Sequence, residues 1–200
     1  MPALSRRTTS SVAAKARTEA AFLDATAALL QEGSAYGELG VEAIAQRAGF
    51  SRATFYAYFS DKRDLLFKLG ERVANELYAK AGEWLEAGAA TEVREMLEWV
   101  LRIFATHRVV VGALVEAATY DAEVARLWRD LHDRFIEVAR ARIAQEHPEL
   151  SEDEVAGRAF VLVWMTERSC YEHQVAPRVS DEGLVAALEA FWRAAVTPTA

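Results

Sequence analysis

Apolar residues recur at three- and four-residue spacing along almost the whole of this 200-residue chain, and that period is the signature of helix. Little interrupts it, since the sequence holds only ten glycines and four prolines. No run alternates with period two and no Asn-Gly pair joins two such runs, so strands and hairpins are not expected. The pattern predicts an all-α fold of nine helices, over about 15–31, 41–48, 52–58, 61–85, 92–105, 108–119, 122–146, 152–174 and 181–196. Gly33, Gly37 and Gly40 end the first, Gly49 separates the second and third, and the Ser60-Asp61 pair offers a capping oxygen to the fourth. The breaks between the rest fall at Gly88 to Thr91, His107, Tyr120-Asp121, Pro148 and Pro177. Ser151 followed three residues later by Glu154 fits a capping box.

Composition narrows the function classes. The longest apolar runs, at 109–115 and 159–165, are far shorter than the ~20 residues of a membrane span. The first seventeen residues carry charge with no apolar stretch behind them, unlike a secretory signal. Cys170 is the one cysteine, so no internal disulfide forms and a reduced, cytoplasmic location is expected. The net charge of −7 is unevenly spread. Up to residue 66 there are 8 Lys and Arg against 7 Asp and Glu, and after it 15 against 23. Arg6, Arg7, Lys15 and Arg17 lie in an opening segment with no acid. Such asymmetry fits a DNA-binding end joined to an acidic body; a disordered basic tail, to about residue 14, fits it as well.

The stretch VEAIAQRAGFSRATFYAYF, residues 41–59, carries the most chemistry. Val41, Ile44, Ala45 and Ala48 make one inward face, and the small Ala45 lets a second helix cross closely. Gly49 supplies a turn residue tolerant of positive φ. Phe50 is expected to plug the core, and Ser51 to cap the next helix. On that helix Phe55 and Phe59 point inward, which turns Ala53, Thr54 and Ala57 outward with Tyr56 and Tyr58 on the flanks. Small residues let a helix sit deep in a major groove, where the Thr54 hydroxyl and methyl can read base edges. Tyr56 and Tyr58 suit phosphate oxygens. Arg52 reaches either a guanine edge or a phosphate, and Lys62, in the first turn of the following helix, a phosphate. The DNA-binding surface expected is thus Arg52, Ala53, Thr54, Tyr56, Tyr58 and Lys62. Two short amphipathic helices around a glycine also occur in domains that bind no DNA.

This stretch, extended to GVEAIAQRAGFSRATFYAYFSDKRDLL, resembles the signature of the TetR family of repressors. The resemblance covers about residues 17–70, with Gly40 where the family usually has Thr or Ser. Further along, FATHRVV at Phe104 to Val110, EVARLW at Glu123 to Trp128 and TER at Thr166 to Arg168 are similar to the ethionamide-resistance-repressor-like (EthR-like) subgroup. The resemblance implies a three-helix DNA-binding head, 1–60, and a ligand-binding and dimerisation body, 61–200. It also implies homodimers on palindromic double-stranded operator DNA, with recognition helices about 34–36 Å apart or at multiples of that. A largely apolar tunnel for a small hydrophobic effector is implied at Trp128, Phe135, Val163, Thr166 and Glu167. Val163 and Thr166 stand where the relative has amides and Phe135 where it has an indole, so the lining differs.

The body's own residues leave two readings open. Met96, Trp99, Ile103 and Phe104 form one apolar face, Leu127, Trp128, Leu131 and Phe135 a second, and Leu162, Val163 and Thr166 a third. These faces either enclose a tunnel, with Trp99 and Ile103 among its walls, or fill an ordinary core, which periodicity alone favours. Glu167 either pairs with Arg168 or another helix's arginine, or presents a carboxylate to a ligand. His107 reads as a cap or a satisfied histidine and Cys170 as a small buried residue. In the last helix Leu184, Leu188 and Phe191 lie on one stripe that Val185, Trp192 and Val196 widen. An arc that wide needs contacts on two sides, so a dimer interface at Leu184, Leu188, Phe191 and Trp192 is expected, with a deep monomer core as the other reading. There is no phosphate loop, HExxH, nucleophile elbow or paired catalytic carboxylates. The histidines at 107, 132, 147 and 173 lack metal-site spacing, so no catalytic residue, metal or cofactor is expected. A DNA-binding regulator leads; a helical dimeric adaptor without DNA binding is the alternative.

Overall fold

The computed structural model describes residues 3–87 and 93–196, with side chains over 12–81 and 93–196. Among these residues the chain is all-α, with nine α-helices, one 3-10 turn and no strand. The helices are α1 (Ala3–Gln31), α2 (Val41–Ala48), α3 (Arg52–Tyr56), α4 (Lys62–Ala87), α5 (Val93–Thr106), α6 (Arg108–Ala117), α7 (Ala122–Glu146), α8 (Glu152–Val175) and α9 (Asp181–Val196). The break expected at Gly88 to Thr91 lies outside the described residues. Two expectations need correction. First, α1 begins at Ala3 rather than near Lys15, so the segment expected as a disordered arm is helical from Ala3. Nothing between Ala3 and Gln31 breaks a helix, and propagation costs far less than nucleation; the apolar stripe marks where α1 packs, not where it starts. Second, α3 stops at Tyr56, leaving Tyr58 in the turn beyond it, where its N–H donates to the Phe55 carbonyl at 2.9 Å.

The chain divides into two compact units, residues 1–70 and 71–200, later than the expected boundary after residue 60. The reason is local. The start of α4 is fastened to the first unit: the Tyr36 hydroxyl donates to the Lys62 carbonyl at 2.6 Å, and Lys62 Nζ donates to the carbonyls of Tyr36 and Gly37 at 2.9 and 3.0 Å. Lys68 meets Glu19 at 3.6 Å, and Leu65, Leu66 and Leu69 are buried.

The first unit is built around Phe22, which is fully buried. Its ring lies 5.3–6.2 Å from those of Phe50, Phe55, Tyr58 and Phe59, edge-on to Phe55 and Phe59. Both α1 and α2 end on a glycine in the left-handed region, Gly33 at φ 96° and Gly49 at φ 78°. After each, the next N–H reaches five residues back, Ser34 to the Leu29 carbonyl and Phe50 to that of Ala45. That closure pairs carbonyls that the end of the helix would otherwise leave open, and a Cβ would strain it.

In the second unit α8 packs against α5, α6, α7 and α9. Its inward stripe is Val155, Ala159, Leu162, Val163, Thr166, Glu167, Cys170 and His173. Ser151 and Glu154 form the expected capping box. Arg94 on α5 reaches Glu182 and Glu189 on α9 at 2.6 and 3.0 Å. His107 is satisfied by Glu76, 3.1 Å away, although its side chain does not cap α6. No helix among the described residues is long and apolar enough to cross a membrane.

Candidate functional site

Two places in the molecule gather the expected site residues, one on the outside of the first unit and one inside the second. On the first unit, Ser51 caps α3 by accepting the Thr54 N–H at 3.1 Å, and its hydroxyl lies 2.9 Å from that of Thr54. Phe55 and Phe59 are buried at 0% and 1% exposure, which fixes the roll of α3. Arg52, Ala53, Tyr56 and Ala57 are therefore exposed, and Thr54 is half-buried. Arg52 lies along Tyr56, its guanidinium carbon 5.6 Å from the ring centroid and a terminal nitrogen 3.4 Å from the hydroxyl. The pair offers a planar cation and a phenol on one exposed face, the chemistry that contacts phosphates and guanine edges.

Three neighbours sit differently from expectation. Tyr58 is half-buried against Phe22, because α3 ends before it. Phe50 touches Phe22 yet stays 38% exposed, so it covers the core rather than plugging it. Lys62 spends two of its three N–H donors on the Tyr36 and Gly37 carbonyls and lies over the Tyr36 ring. Burial lowers its pKa. A phosphate reaching Lys62 finds one donor, and its main work is to hold α4 on the 3-10 turn at Tyr36–Glu38. A salt bridge between Arg47 and Glu32 ties α2 to the end of α1 at 2.6 Å.

Inside the second unit, α7 and α8 bring Trp128 and Glu167 together through a residue not expected there, His132. His132 is buried, its ring stacked on Trp164 with centroids 4.1 Å apart and planes within 4°, and edge-on to Trp128 at 4.7 Å. Its Nδ1 lies 2.6 Å from the Trp128 carbonyl, an acceptor, so Nδ1 donates there. Its Nε2 then faces Glu167 Oε2 at 3.9 Å. Glu167 is 8% exposed and its Oε1 has no hydrogen-bond partner. Arg168 turns outward and pairs with Glu172, so its charge only partly offsets the burial of Glu167. Burial raises the Glu167 carboxyl to about 7, and burial lowers His132 from its ordinary value. Both shifts favour the uncharged forms.

The other expected effector residues are dispersed. Thr166 accepts a hydrogen bond from Trp192 Nε1 at 2.8 Å. Phe135 packs edge-on against Tyr78, centroids 6.0 Å apart. Ile103 and Val163 are buried, and Trp99 is half-buried with its Nε1 unpartnered. A cleft of about 550 Å³ lies between α5, the end of α8 and the start of α9, lined by residues including Leu101, Arg102, His173, Pro177 and Val185. None of the seven expected effector residues lines it. The expected dimer residues also divide. Leu188 and Trp192 are each 4% exposed, committed to the interior of their own unit, whereas Phe191 is 59% exposed and Leu184 half-buried. On α8, Phe160 and Val161 are exposed too. Trp128 with His132, and Trp164 with Glu167, were detectable in sequence as i,i+4 and i,i+3 pairs sharing a helix face.

Residues 22–69 match the model of the bacterial regulatory proteins of the tetR family, and residues 93–197 match that of the C-terminal domain of the transcriptional regulator EthR. The HTH-type transcriptional regulator EthR of Mycolicibacterium smegmatis is 32% identical over 131 residues, 64% of this chain and 60% of the relative. Its namesake from Mycobacterium tuberculosis H37Rv is 32% identical over 126 residues, 61% of this chain and 58% of the relative. The matched stretch thus spans less than two thirds of either relative's length. Among solved structures, a TetR-like transcriptional regulator from Rhodococcus sp. RHA1 superposes with a TM-score of 0.65 at 23% identity, covering 88% of this chain and 94% of that one.

Proposed function

The chain belongs to the TetR family of bacterial regulators and carries an EthR-type C-terminal domain, and from that premise we propose that it is a ligand-responsive repressor of transcription. It binds a palindromic operator as a homodimer in the cytoplasm and is released by a small lipophilic effector. The observation that carries the reading is the exposed face of α3, where Arg52, Ala53 and Tyr56 stand clear of a back anchored by Phe55 and Phe59. Thr54 reads bases from the same face, with Tyr58 and Lys62 as lesser phosphate contacts. Exposed Phe160 and Val161 on α8 and Phe191 on α9, two helices that pack together, support a homodimer face. Apolar surface gathered on paired helices gains most from a second copy. Control is a population shift: the effector favours a conformer whose α3 helices are wrongly spaced for successive grooves. Since α4 belongs to both units, it carries the change between them. A coupling of ~1–3 kcal/mol weakens operator binding roughly 5–150-fold.

Fluorescence anisotropy with labelled duplexes tiled across the DNA flanking its coding region tests this. One near-palindromic stretch is expected to bind with a steep salt dependence, and native mass spectrometry is expected to show a dimer. Equal, feeble binding to every duplex would leave a helical dimer with no operator.

A further inference from the structure

We propose that Glu167 and His132 form the polar end of the effector site and that the effector is an apolar amine, its ammonium bridging Glu167 and His132 beside Trp128 and Trp164. The inference rests on the effector reading above and names the chemical class that the site selects. Glu167 Oε1 is shut from solvent and accepts no hydrogen bond among the described residues. With Nδ1 committed to the Trp128 carbonyl, neutral His132 presents a lone pair at Nε2. With Glu167 ionised, two acceptors then face each other across 3.9 Å, too far apart to bond directly. A nitrogen placed about 2.9 Å from both fits roughly 2 Å off the line that joins them.

Charge decides among donors. A buried carboxylate without a counter-charge is costly, and the nearby cations are engaged elsewhere. Arg168 pairs with Glu172 on the exposed side of α8, and the buried Arg142 pairs with Glu146 along α7. A cation delivered with a ligand supplies what the chain does not. The indoles of Trp128 and Trp164, packed on His132, offer π-faces that favour an ammonium over a neutral head.

Three probes with one tail and different heads test it: n-decylamine, n-decanol and n-decanoate, below their micelle concentrations at pH 7.5. Their binding to the full chain is followed by isothermal titration calorimetry and by release of bound operator DNA. Decylamine is expected to bind at least ~10-fold more tightly than decanol, as a charge-assisted hydrogen bond implies. In Glu167→Gln that preference is expected to vanish, with decylamine weakened to the level of decanol. His132→Phe, which keeps a ring on Trp164, is the second variant and is expected to reduce the preference by at least half. An amine that binds no better than the alcohol, or a preference that survives Glu167→Gln, overturns the amine assignment and leaves the effector reading standing. Binding of none of the probes, with operator still held, overturns both.

Discussion

The two units place their polar groups in opposite positions. Among the described residues, the first unit buries one polar side chain, Thr26, whose hydroxyl is spent on the Phe22 carbonyl at 2.9 Å. Everything it offers a partner is on its surface. The second unit buries His132, Arg142, His147, Thr166, Glu167 and His173, and leaves Glu167 Oε1 and His147 Nε2 with no partner. Interiors exclude unpaired polar groups because each costs ~1–3 kcal/mol. One turns its polar chemistry outward and the other keeps part of it inside, and the contrast can be attacked from either side.

The largest effect is expected at the centre of the first unit. Phe22→Ala removes the ring that Phe50, Phe55, Tyr58 and Phe59 share, and should cost ~3–5 kcal/mol. Chemical denaturation followed by circular dichroism would register it, with operator binding lost. A loss below ~1 kcal/mol would mean that the aromatic cluster is not what holds α3 in place.

Next comes Glu167→Gln. The folded carboxyl titrates at about 7 against 4.5 ordinarily, so between those values the native state holds the proton more firmly than the unfolded chain. Stability conferred on the protonated form is lost as pH rises through that window, by on the order of 3 kcal/mol. Glutamine escapes that loss. The variant should melt higher than the parent at pH 8 and close to it at pH 4. His132 runs the other way, since its lowered pKa weakens the fold as pH drops below 6.5, and this term is common to both proteins. Equal melting temperatures at pH 8 would indicate that Glu167 is not starved of solvent.

A smaller cost attaches to Thr166→Val, which keeps the shape but removes the hydroxyl that accepts the Trp192 Nε1–H. About 1–3 kcal/mol is expected, with a change in tryptophan fluorescence. The smallest stability effect belongs to Arg52→Ala on the exposed face of α3, within about 0.5 kcal/mol. DNA affinity should nonetheless fall, and the slope of log K against log salt should shrink by about one if Arg52 meets a phosphate. An unaltered slope together with relaxed sequence preference would assign Arg52 to a base edge instead.

What could be read from sequence follows the reach of each signal. The helix-turn-helix was legible because its determinants are neighbours in the chain: Ser51 caps three residues on, Gly49 takes the positive φ, and Phe55 and Phe59 share a face. Helix ends marked by such chemistry, at Gly33, Asp121 and Ser151, were legible for the same reason. The start of α1 was not, since helix without a packed face leaves no apolar period. The facing of α9 was not either. Its apolar arc is so wide that Val185, Leu188, Trp192 and Val196 or Leu184, Leu188 and Phe191 describe it equally well, and only Thr166 on another helix settles where Trp192 points. Glu167 was recognisable as unusual, but His132 lies thirty-five positions earlier, and no local rule joins them.

Cys170 sits one turn beyond Glu167 on the inner stripe of α8, wholly buried, with its thiol pushed up to about 12 by burial and by the carboxylate nearby. As the single sulfhydryl of the chain, it is a built-in clock. A thiol-reactive dye can label it only in molecules whose second unit has opened, because the closed fold offers neither access nor thiolate. The labelling half-life therefore times breathing of the second unit without any engineered reporter, and an occupant lodged beside Glu167 should stretch that interval measurably.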